Sequence, residues 1–151
     1  MRDVLSEDGL AIDFWEIAMR PGKPLMFGHY RGTPMLGLPG NPVSTLVCSL
    51  VFLKPALDKL SGLPEGTDGT AAARLGIALR QNDRRQDYLR ARLARAADGV
   101  VEAVPFEVQD SSMMRPLAAS DCLVVRPPHA PALPAGSEVP IIAFPGGAWP
   151  L

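Results

Sequence analysis

The turn-rich segment GLPGNPVS, residues 37–44, precedes a long apolar run. Asn41 is of the type that caps helices, because its side-chain oxygen accepts from amides of the first turn. Pro42 then falls at the first helical position, where a missing N–H costs nothing, and Gly40 allows a tight turn and close approach of a ligand. Ser44 adds a hydroxyl in the first turn. Exposed amides, the positive end of the helix dipole and this hydroxyl together favour a phosphate or another oxyanion.

A second short segment, RPGKP at residues 20–24, holds two cations around a proline–glycine turn. A turn this stiff around Arg20 and Lys23 indicates an anion clamp. Both segments also have an ordinary structural interpretation. Many helices begin with Asn-Pro and bind nothing, and Arg and Lys are commonly solvated surface charges. The residues alone leave both interpretations open.

The strands that must position these segments can be inferred from hydrophobic patterning. Residues 11–19, AIDFWEIAM, are almost continuously apolar and predict a strand covered on both faces, with Trp15 in the core. The residues that follow predict a hairpin, with strands at 25–28 and 33–38 and the turn at 29–32. The hairpin would lead directly into the turn-rich segment.

Helices are predicted on either side of these strands. Residues 1–9 are typical of the last turns of a helix that ends at Gly9. After the turn-rich segment, apolar residues at spacings of three and four predict a helix with one stripe facing a core, which Pro55 should kink. The stripe consists of Val43, Leu46, Val47, Leu50, Leu53, Leu57 and Leu60.

A change in composition divides the chain. The segment SGLPEGTDGT ends the helix and predicts an α/β part over residues 1–64, a linker over 65–70 and a β-rich part over 71–151. Short candidate strands separated by Gly, Pro and Asp turns predict a small all-β sandwich or barrel in the last part. These strands are residues 74–79, 88–93, 100–104, 122–125 and 139–144. Residues 87–97 also fit an amphipathic helix, so strand and helix both stay open there.

Composition narrows the function classes. The net charge of −1 gives the whole chain no long-range attraction to nucleic acid or to an anionic membrane. No uncharged apolar run reaches the ~18 residues of a membrane span. Cys48 and Cys122 are too few for a disulfide framework, and they predict reduced, buried thiols in a cytoplasmic protein. His29 and His129 are expected to be solvated rather than ligands.

The two segments also carry a resemblance to a known family. PGKP followed by GLPGNPVS and an apolar helix, and later DYLRARL, QDSSMMRPLA and DCLVV, resemble the molybdopterin molybdotransferases, a family that includes the E-domain of gephyrin. The resemblance implies the C-terminal half of a molybdopterin-binding α/β domain followed by a small β-barrel domain. It implies a transferase that inserts molybdate into adenylylated molybdopterin and releases AMP and finished molybdenum cofactor. The site would be a cleft near the junction of the two domains.

The resemblance also implies roles for individual residues. Lys23, Arg20 and Ser44 are the expected catalytic groups, with Arg20 standing where many members have lysine. Glu16 stands where some members carry another lysine, so no cationic role is expected at that position. The expected substrate-binding residues are Pro39, Gly40, Asn41 and Pro42 at the helix start, and Arg90, Ser111 and Ser112 in the barrel domain.

Cofactor and partners are implied in the same way. The reaction would require a divalent cation, Mg²⁺, whose ligands are expected upstream of this chain, so no metal ligand is assigned within it. The full-length protein is expected to be a homodimer, and the missing N-terminal half would be a partner of this chain. We expect the isolated chain to lack turnover, and we expect neither a nucleic-acid nor a membrane partner.

Two other functions stay open on the sequence. Residues 74–95 carry seven arginines against Asp83 and Asp87, a local charge of +5, with Tyr88 among them. Small barrels with basic and aromatic faces bind single-stranded nucleic acid. The other alternative is a non-catalytic scaffold or interaction module on the same fold, for which the proline-rich residues 127–136 could be an extended ligand.

Overall fold

The structure is a computed structural model that describes residues 9–64 and 70–144. The helical turns predicted before Gly9 and most of the predicted linker lie outside the described residues. The described part contains a three-stranded sheet, a helical segment and a closed barrel of five strands. This arrangement confirms the predicted fold class, an α/β part followed by a small β-barrel.

The first sheet is antiparallel, in the order β1, β3, β4, with strands β1 (Leu10–Trp15), β3 (Met26–Tyr30) and β4 (Thr33–Gly37). The predicted hairpin is therefore confirmed, but its turn contains only Arg31 and Gly32, which have φ of +49° and +82°. Two successive residues with positive φ match the right-handed twist of hairpin strands. His29 consequently lies within β3, opposite Pro34, and not in the turn.

The prediction that the first strand is covered on both faces is wrong. Only Leu10 of β1 is buried, and Phe14 and Trp15 are 41% and 44% exposed. β1 is the edge strand of its sheet, and the apolar side chains of this part pack towards the barrel instead. The prediction that Trp15 lies in the core is therefore wrong for the described residues. The residues next to it in the sequence are apolar and aromatic, as they are in many buried strands.

The helical segment consists of α1 (Pro42–Cys48), a π-helical stretch over Ser49–Leu53 and α2 (Lys54–Leu60). Pro55 lies in the first turn of α2. Since proline supplies no N–H for the carbonyl four residues earlier, the wider π-helical turn directly before it is the local response of the backbone to this residue.

The apolar stripe faces a core only in its first half. Val43 and Val47 are fully buried, whereas Leu46, Leu57 and Leu60 are exposed. The prediction of one buried stripe along the whole helix is therefore wrong at Leu46 within α1 and at both leucines of α2. For the leucines of α2 the π-helical stretch accounts for the exposure, because a different number of residues per turn moves the later side chains out of line with the earlier ones.

The barrel is built from β5 (Thr70–Leu75), β6 (Gln86–Arg95), β7 (Val101–Pro105), β8 (Cys122–Arg126) and β9 (Glu138–Ala143), with α3 (Met114–Ala118) between β7 and β8. Neighbours around the barrel are β6, β7, β5, β9 and β8, and β8 pairs again with β6. The segment that also fitted a helix is thus strand β6. The first strand lies at 70–75 rather than at 74–79, because Gly76 and the residues after it leave the sheet.

Two clusters of buried side chains hold the molecule together. One fills the barrel and the other joins α1 to the outside of the barrel. The joining cluster contains Met19, Leu25, Val43, Val47, Cys48, Tyr88, Leu117 and Leu123. The short strand β2 (Met19–Arg20) adds a backbone connection, since it pairs in parallel with the start of β6. None of the helices in the described ranges is long and apolar enough to cross a membrane.

Candidate functional site

The helix start has the geometry predicted for it. Asn41 has extended φ and ψ of −76° and 125°, and its side-chain oxygen accepts from the backbone N–H groups of Val43 at 3.1 Å and Ser44 at 3.4 Å. Pro42 occupies the first helical turn. A Cβ added to Gly40 would meet no atom within 4 Å, so the backbone there is open to a ligand. Asn41 already occupies two of the amides on which the prediction of an anion site rested.

The hydroxyl groups of the first turn differ in their surroundings. Ser44 is 5% exposed and lies on the side of α1 that packs into the joining cluster. Thr45 donates from its hydroxyl to the carbonyl of Asn41 at 3.0 Å and also to that of Pro39. Thr45, which the sequence analysis did not single out, therefore helps to fix the Pro39–Asn41 turn.

The turn between Arg20 and Lys23 packs against the end of α1. Gly22 has a φ of +117°, and a Cβ added to it would lie 2.6 Å from the Cys48 sulfur and 3.0 Å from the Met19 side chain. Only glycine fits both the backbone conformation and the space. This close approach seats the Arg20–Lys23 turn directly on the helix that follows the Asn41 cap.

Lys23 is available at the surface. It is 60% exposed and forms an ion pair of 3.0 Å with Glu16, which itself is 48% exposed and has a φ of +67°. Backbone hydrogen bonds from Glu16 to Leu25 and from Ile17 to Lys23 hold the two segments side by side. Glu16 is thus the counter-ion of Lys23. This agrees with the expectation that the residue at this position has no cationic role.

Both predicted segments leave the same end of the first sheet. Trp15 at the end of β1 pairs with Met26 at the start of β3, and Met26 pairs with Gly37 at the end of β4. Glu16, Lys23 and the Pro39–Asn41 turn therefore lie at the same end of this sheet. The sequence places these segments up to 25 residues apart, and the hairpin brings them together.

An open cleft of about 930 Å³ lies beside this end of the sheet, between the first sheet and the barrel. Its lining includes Lys23 and Glu16 from one side and Asp83, Arg84, Arg85 and His129 from barrel loops on the other, together with the apolar Ile17 and Ala18. Lys23 is the predicted catalytic residue among the lining residues. Residues 39–44 and 111–112 are not part of this lining.

Asp83 organises the barrel side of the cleft. Its carboxylate accepts from the backbone N–H of Arg85 at 2.8 Å, from the Arg85 guanidinium at 2.7 Å and from Arg20 at 3.4 Å. The side-chain and backbone hydrogen bonds from Arg85 hold the pKa of the Asp83 carboxyl well below its usual range. Asp83 therefore stays charged and neutralises Arg85.

Arg20 spans the junction between the two parts of the chain. Its guanidinium pairs with Asp87 of β6 and with Asp83, and it is 43% exposed. Asp87 is buried, and its second carboxylate oxygen has no partner among the described residues. The predicted catalytic Arg20 thus has a structural contact across the junction, next to the turn that carries Lys23.

Arg90 is enclosed by protein. It is 1% exposed, and its guanidinium donates to the Gln109 side chain at 3.3 Å and to the Met113 carbonyl at 3.2 Å. Burial lowers the pKa of this guanidinium. The structure therefore places Arg90 under the loop that precedes α3, where it holds the loop and does not line the cleft.

The predicted serines lie on that same loop. Ser112 donates from its N–H and from its hydroxyl to one oxygen of Asp110, each at 2.8 Å, and these two hydrogen bonds lower the pKa of the Asp110 carboxyl. Ser111 is half-buried next to it. The loop and the cleft are separate places on the described molecule.

The arginine-rich region does not form a free basic face. Arg74 pairs with Asp98 and Glu102, Arg85 with Asp83, and Arg90 is buried. Arg92 stacks its guanidinium over Phe106 at 5.3 Å and donates to the Ala119 carbonyl. Two of the seven arginines are thus paired with carboxylates and a third is buried, which weakens the argument for nucleic-acid binding. The proline-rich residues 127–136 bridge β8 and β9, and Leu133 pairs with Leu79.

Within residues 9–64 and 70–144, no three His, Cys, Asp or Glu side chains lie together in a way that could hold a metal ion. Cys48 and Cys122 are free and buried, as the sequence predicts. Their sulfurs face the carbonyls of Gly22 and Ala91 at 3.9 Å. Burial raises the pKa of the Cys48 thiol to about 11 and that of Cys122 to about 12.

Comparison with known proteins agrees with this architecture. A family model described as a probable molybdopterin binding domain matches residues 1–59, and one described as the MoeA C-terminal region (domain IV) matches residues 72–144. The crystal structure of a molybdopterin biosynthesis MoeA protein from Pyrococcus horikoshii superposes with a TM-score of 0.76 at 30% identity, covering 96% of this chain and 34% of that one.

Curated relatives give the same picture. Molybdopterin molybdenumtransferase 2 of Mycobacterium tuberculosis is 33% identical over 130 residues, which are 86% of this chain and 31% of the relative. Molybdopterin molybdenumtransferase of Haemophilus influenzae is 30% identical over 134 residues, 88% of this chain and 33% of the relative. The chain thus spans about a third of the length of these relatives. With both family models matched in order along it, the chain belongs to the molybdopterin molybdenumtransferase family and corresponds to the C-terminal portion of its members.

Proposed function

We propose that this chain is the C-terminal portion of an enzyme that inserts molybdate into adenylylated molybdopterin, giving molybdenum cofactor and AMP. The observation that carries the proposal is the position of Lys23. Lys23 lines an open cleft between the sheet of the pterin-binding part and the barrel. The Asn41 turn lies at the same end of this sheet. The family resemblance implies a site in a cleft near this junction, and this supports the proposal.

Molybdate is a tetrahedral dianion, and replacing its oxo groups by pterin thiolates needs charge neutralisation and positioning more than a protein nucleophile. Lys23 supplies a mobile positive charge, since an exposed pair with Glu16 is held only weakly and an incoming dianion can displace it. The open backbone at Gly40 and the turn fixed by Thr45 lie at the same end of the sheet as Lys23. Ser44 completes the site only if ligand binding gives access to its buried hydroxyl.

Arg20 has a positioning role in this proposal. Its contacts with Asp83 and Asp87 fix the Arg20–Lys23 turn against the barrel, so the cation of Lys23 keeps its place across from the barrel loops. Arg90 acts in a comparable way on the loop of Ser111 and Ser112, which lies outside the cleft lining and would be a second, separate contact for the substrate. Mg²⁺, dimer formation and a cytoplasmic location belong to the same proposal, with the metal ligands supplied by the rest of the enzyme.

The test is calorimetric binding of molybdate to the 151-residue chain. We expect Lys23→Ala to weaken binding strongly, and Ser44→Ala to weaken it less, because Ser44 is buried and outside the cleft lining. Lys59→Ala, which removes the same charge from exposed α2, is the matched control and should bind like the wild type. Molybdate affinity that is unchanged in both Lys23→Ala and Ser44→Ala would contradict the assignment of the site.

A second arm supplies the missing part of the enzyme. The N-terminal two-thirds of a curated relative would be added in trans, and cofactor formation from adenylylated molybdopterin and molybdate would be measured. We expect turnover only in the mixture and not with the 151-residue chain alone. Turnover by the isolated chain would show that the catalytic groups all lie within it.

A further inference from the structure

One wall of the cleft has no role in the site described so far. Arg84 and His129 come from two barrel loops, 45 residues apart in sequence, and face the same cavity as Lys23. His129 was expected to be merely solvated. We propose that Arg84 and His129 bind the phosphate group of an organic phosphate ester across the cleft from Lys23, an inference that rests on the proposed function of this site.

The charges of the cleft favour this assignment. The carboxylate of Glu16 is paired with Lys23 and that of Asp83 with Arg85. Arg84 is exposed, and in the ranges 9–64 and 70–144 its side chain has neither an ion pair nor a hydrogen bond. The lining therefore carries three cations against two carboxylates, and Arg84 holds the charge that is not neutralised internally. A planar guanidinium with free donors suits two-point binding of phosphate oxygens.

The backbone around these side chains is fixed before any ligand arrives. The N–H of His129 donates to the Asp83 carbonyl at 2.7 Å, and the N–H of Asn82 donates to the Ala130 carbonyl at 2.9 Å. The buried Asn82 side chain adds a hydrogen bond of 2.8 Å to the Pro127 carbonyl. Three hydrogen bonds thus tie the loop before Ala130 to the loop that carries Arg84.

His129 is held in an uncommon conformation by these contacts. Its φ is +57°, in the left-handed region that residues other than glycine seldom occupy, although histidine does so more often than most. His129 lines the cleft in this conformation. An imidazole N–H here adds a second donor beside the Arg84 guanidinium.

The size and the remaining lining of the cleft indicate an ester rather than a bare oxyanion. A volume of about 930 Å³ far exceeds the space that a tetrahedral anion fills and lies within the range of sites for small organic molecules. The apolar Ile17 and Ala18 line the side near Lys23, where a ring or sugar could pack. The adenylate of the proposed substrate contains such an ester.

The experiment is calorimetry on the 151-residue chain with three probes: AMP, ribose 5-phosphate and inorganic phosphate. We expect Arg84→Gln to weaken AMP binding about tenfold, the size of effect expected for a charge-assisted hydrogen bond. His129→Gln should weaken it to a smaller extent. Arg80→Gln removes the same charge from an exposed position outside the cleft lining and should leave AMP binding unchanged.

The three probes separate the possible sources. AMP binding tighter than ribose 5-phosphate assigns the site to the adenylate, and equal affinities assign it to the phosphate ester of another organic group. Inorganic phosphate bound as tightly as AMP would overturn the ester assignment. Equal losses in Arg84→Gln and Arg80→Gln, no loss in either, or no AMP binding by the wild type at millimolar concentration would overturn the inference. If Lys23→Ala abolishes molybdate binding while Arg84→Gln leaves AMP affinity unchanged, only this inference fails and the proposed function stands.

Discussion

The guanidinium of Arg20, on the short strand β2, pairs with the carboxylate of Asp87 on barrel strand β6. The two residues also face each other in the parallel register of these strands. Asp87 is buried, and Arg20 is 43% exposed. This ion pair, the second pair of Arg20 with Asp83 and one short stretch of backbone pairing therefore couple the turn that carries Lys23 to the barrel.

This pair makes a first prediction about stability. Asp87→Asn removes the buried charge and leaves Arg20 only its longer, exposed ion pair with Asp83, so we expect the free energy of unfolding to fall by about 2 kcal/mol. This is less than the 3–5 kcal/mol typical of fully buried pairs, because Arg20 is partly solvated. Urea denaturation measures the change. In a double-mutant cycle, Arg20→Met should cost little once Asp87→Asn is present; strictly additive effects would show that the two side chains are not coupled.

Gly22 leads to a second prediction. Gly22→Ala places a methyl group 2.6 Å from the Cys48 sulfur at a φ of +117°, so backbone strain and a clash both act. We expect a loss of about 2–3 kcal/mol in thermal or urea unfolding. Gly62→Ala is the control: its φ is +70° and its surroundings are open, so about 1 kcal/mol of strain is expected there. Equal losses in the two variants would mean that the Gly22–Cys48 contact does not constrain the turn.

Arg90 should behave as a structural residue. Arg90→Met fills similar space but leaves the Met113 carbonyl without its donor, and the Gln109 oxygen keeps only the backbone N–H of residue 90. We expect a loss of about 2 kcal/mol in stability, together with faster proteolysis within residues 109–113. Arg92→Met is the comparison, since Arg92 lies on the same strand but is exposed. Wild-type proteolysis of the loop in Arg90→Met would contradict this role.

The buried thiols predict a dependence of stability on alkaline pH. A thiol titrates near 9.0 when unfolded, but near 11 for Cys48 and near 12 for Cys122 in the folded chain. Each therefore contributes stability that is fully present below about pH 9 and is lost as the pH rises towards the folded value. The expected slope is about 1.4 kcal/mol per pH unit for each thiol in this window. Urea midpoints from pH 8 to 10.5 measure it.

Single substitutions isolate each thiol in that experiment. Cys48→Ala and Cys122→Ala should each flatten the loss of stability above pH 9, whatever they do to stability at pH 8. Both thiols should also resist alkylation at pH 8 until the chain is unfolded, because they are buried and protonated. Rapid alkylation of the folded chain would show that one of them is accessible.

Several parts of the architecture could be predicted because they depend on neighbouring residues. Alternating apolar residues gave four of the five barrel strands close to their observed positions, and the Asn41 cap with Pro42 located the start of α1 within one residue. Local patterns did not reveal that β1 is an edge strand or that Leu57 and Leu60 are exposed. An apolar side chain has the same identity whether or not a neighbouring layer covers it.

The candidate site divides in the same way. Residue types and spacing determined the helix cap, the cations of the Arg20–Lys23 turn and the family to which the chain belongs. Only the tertiary structure decided that Arg90 is enclosed, that Arg20 pairs with Asp87 and that Arg84 and His129 share a cleft with Lys23. Capping and turn formation are contacts over a few residues, which a sequence displays directly. Burial and the contacts across the junction join groups that are distant in sequence, and they become definite only when the barrel closes against the first sheet.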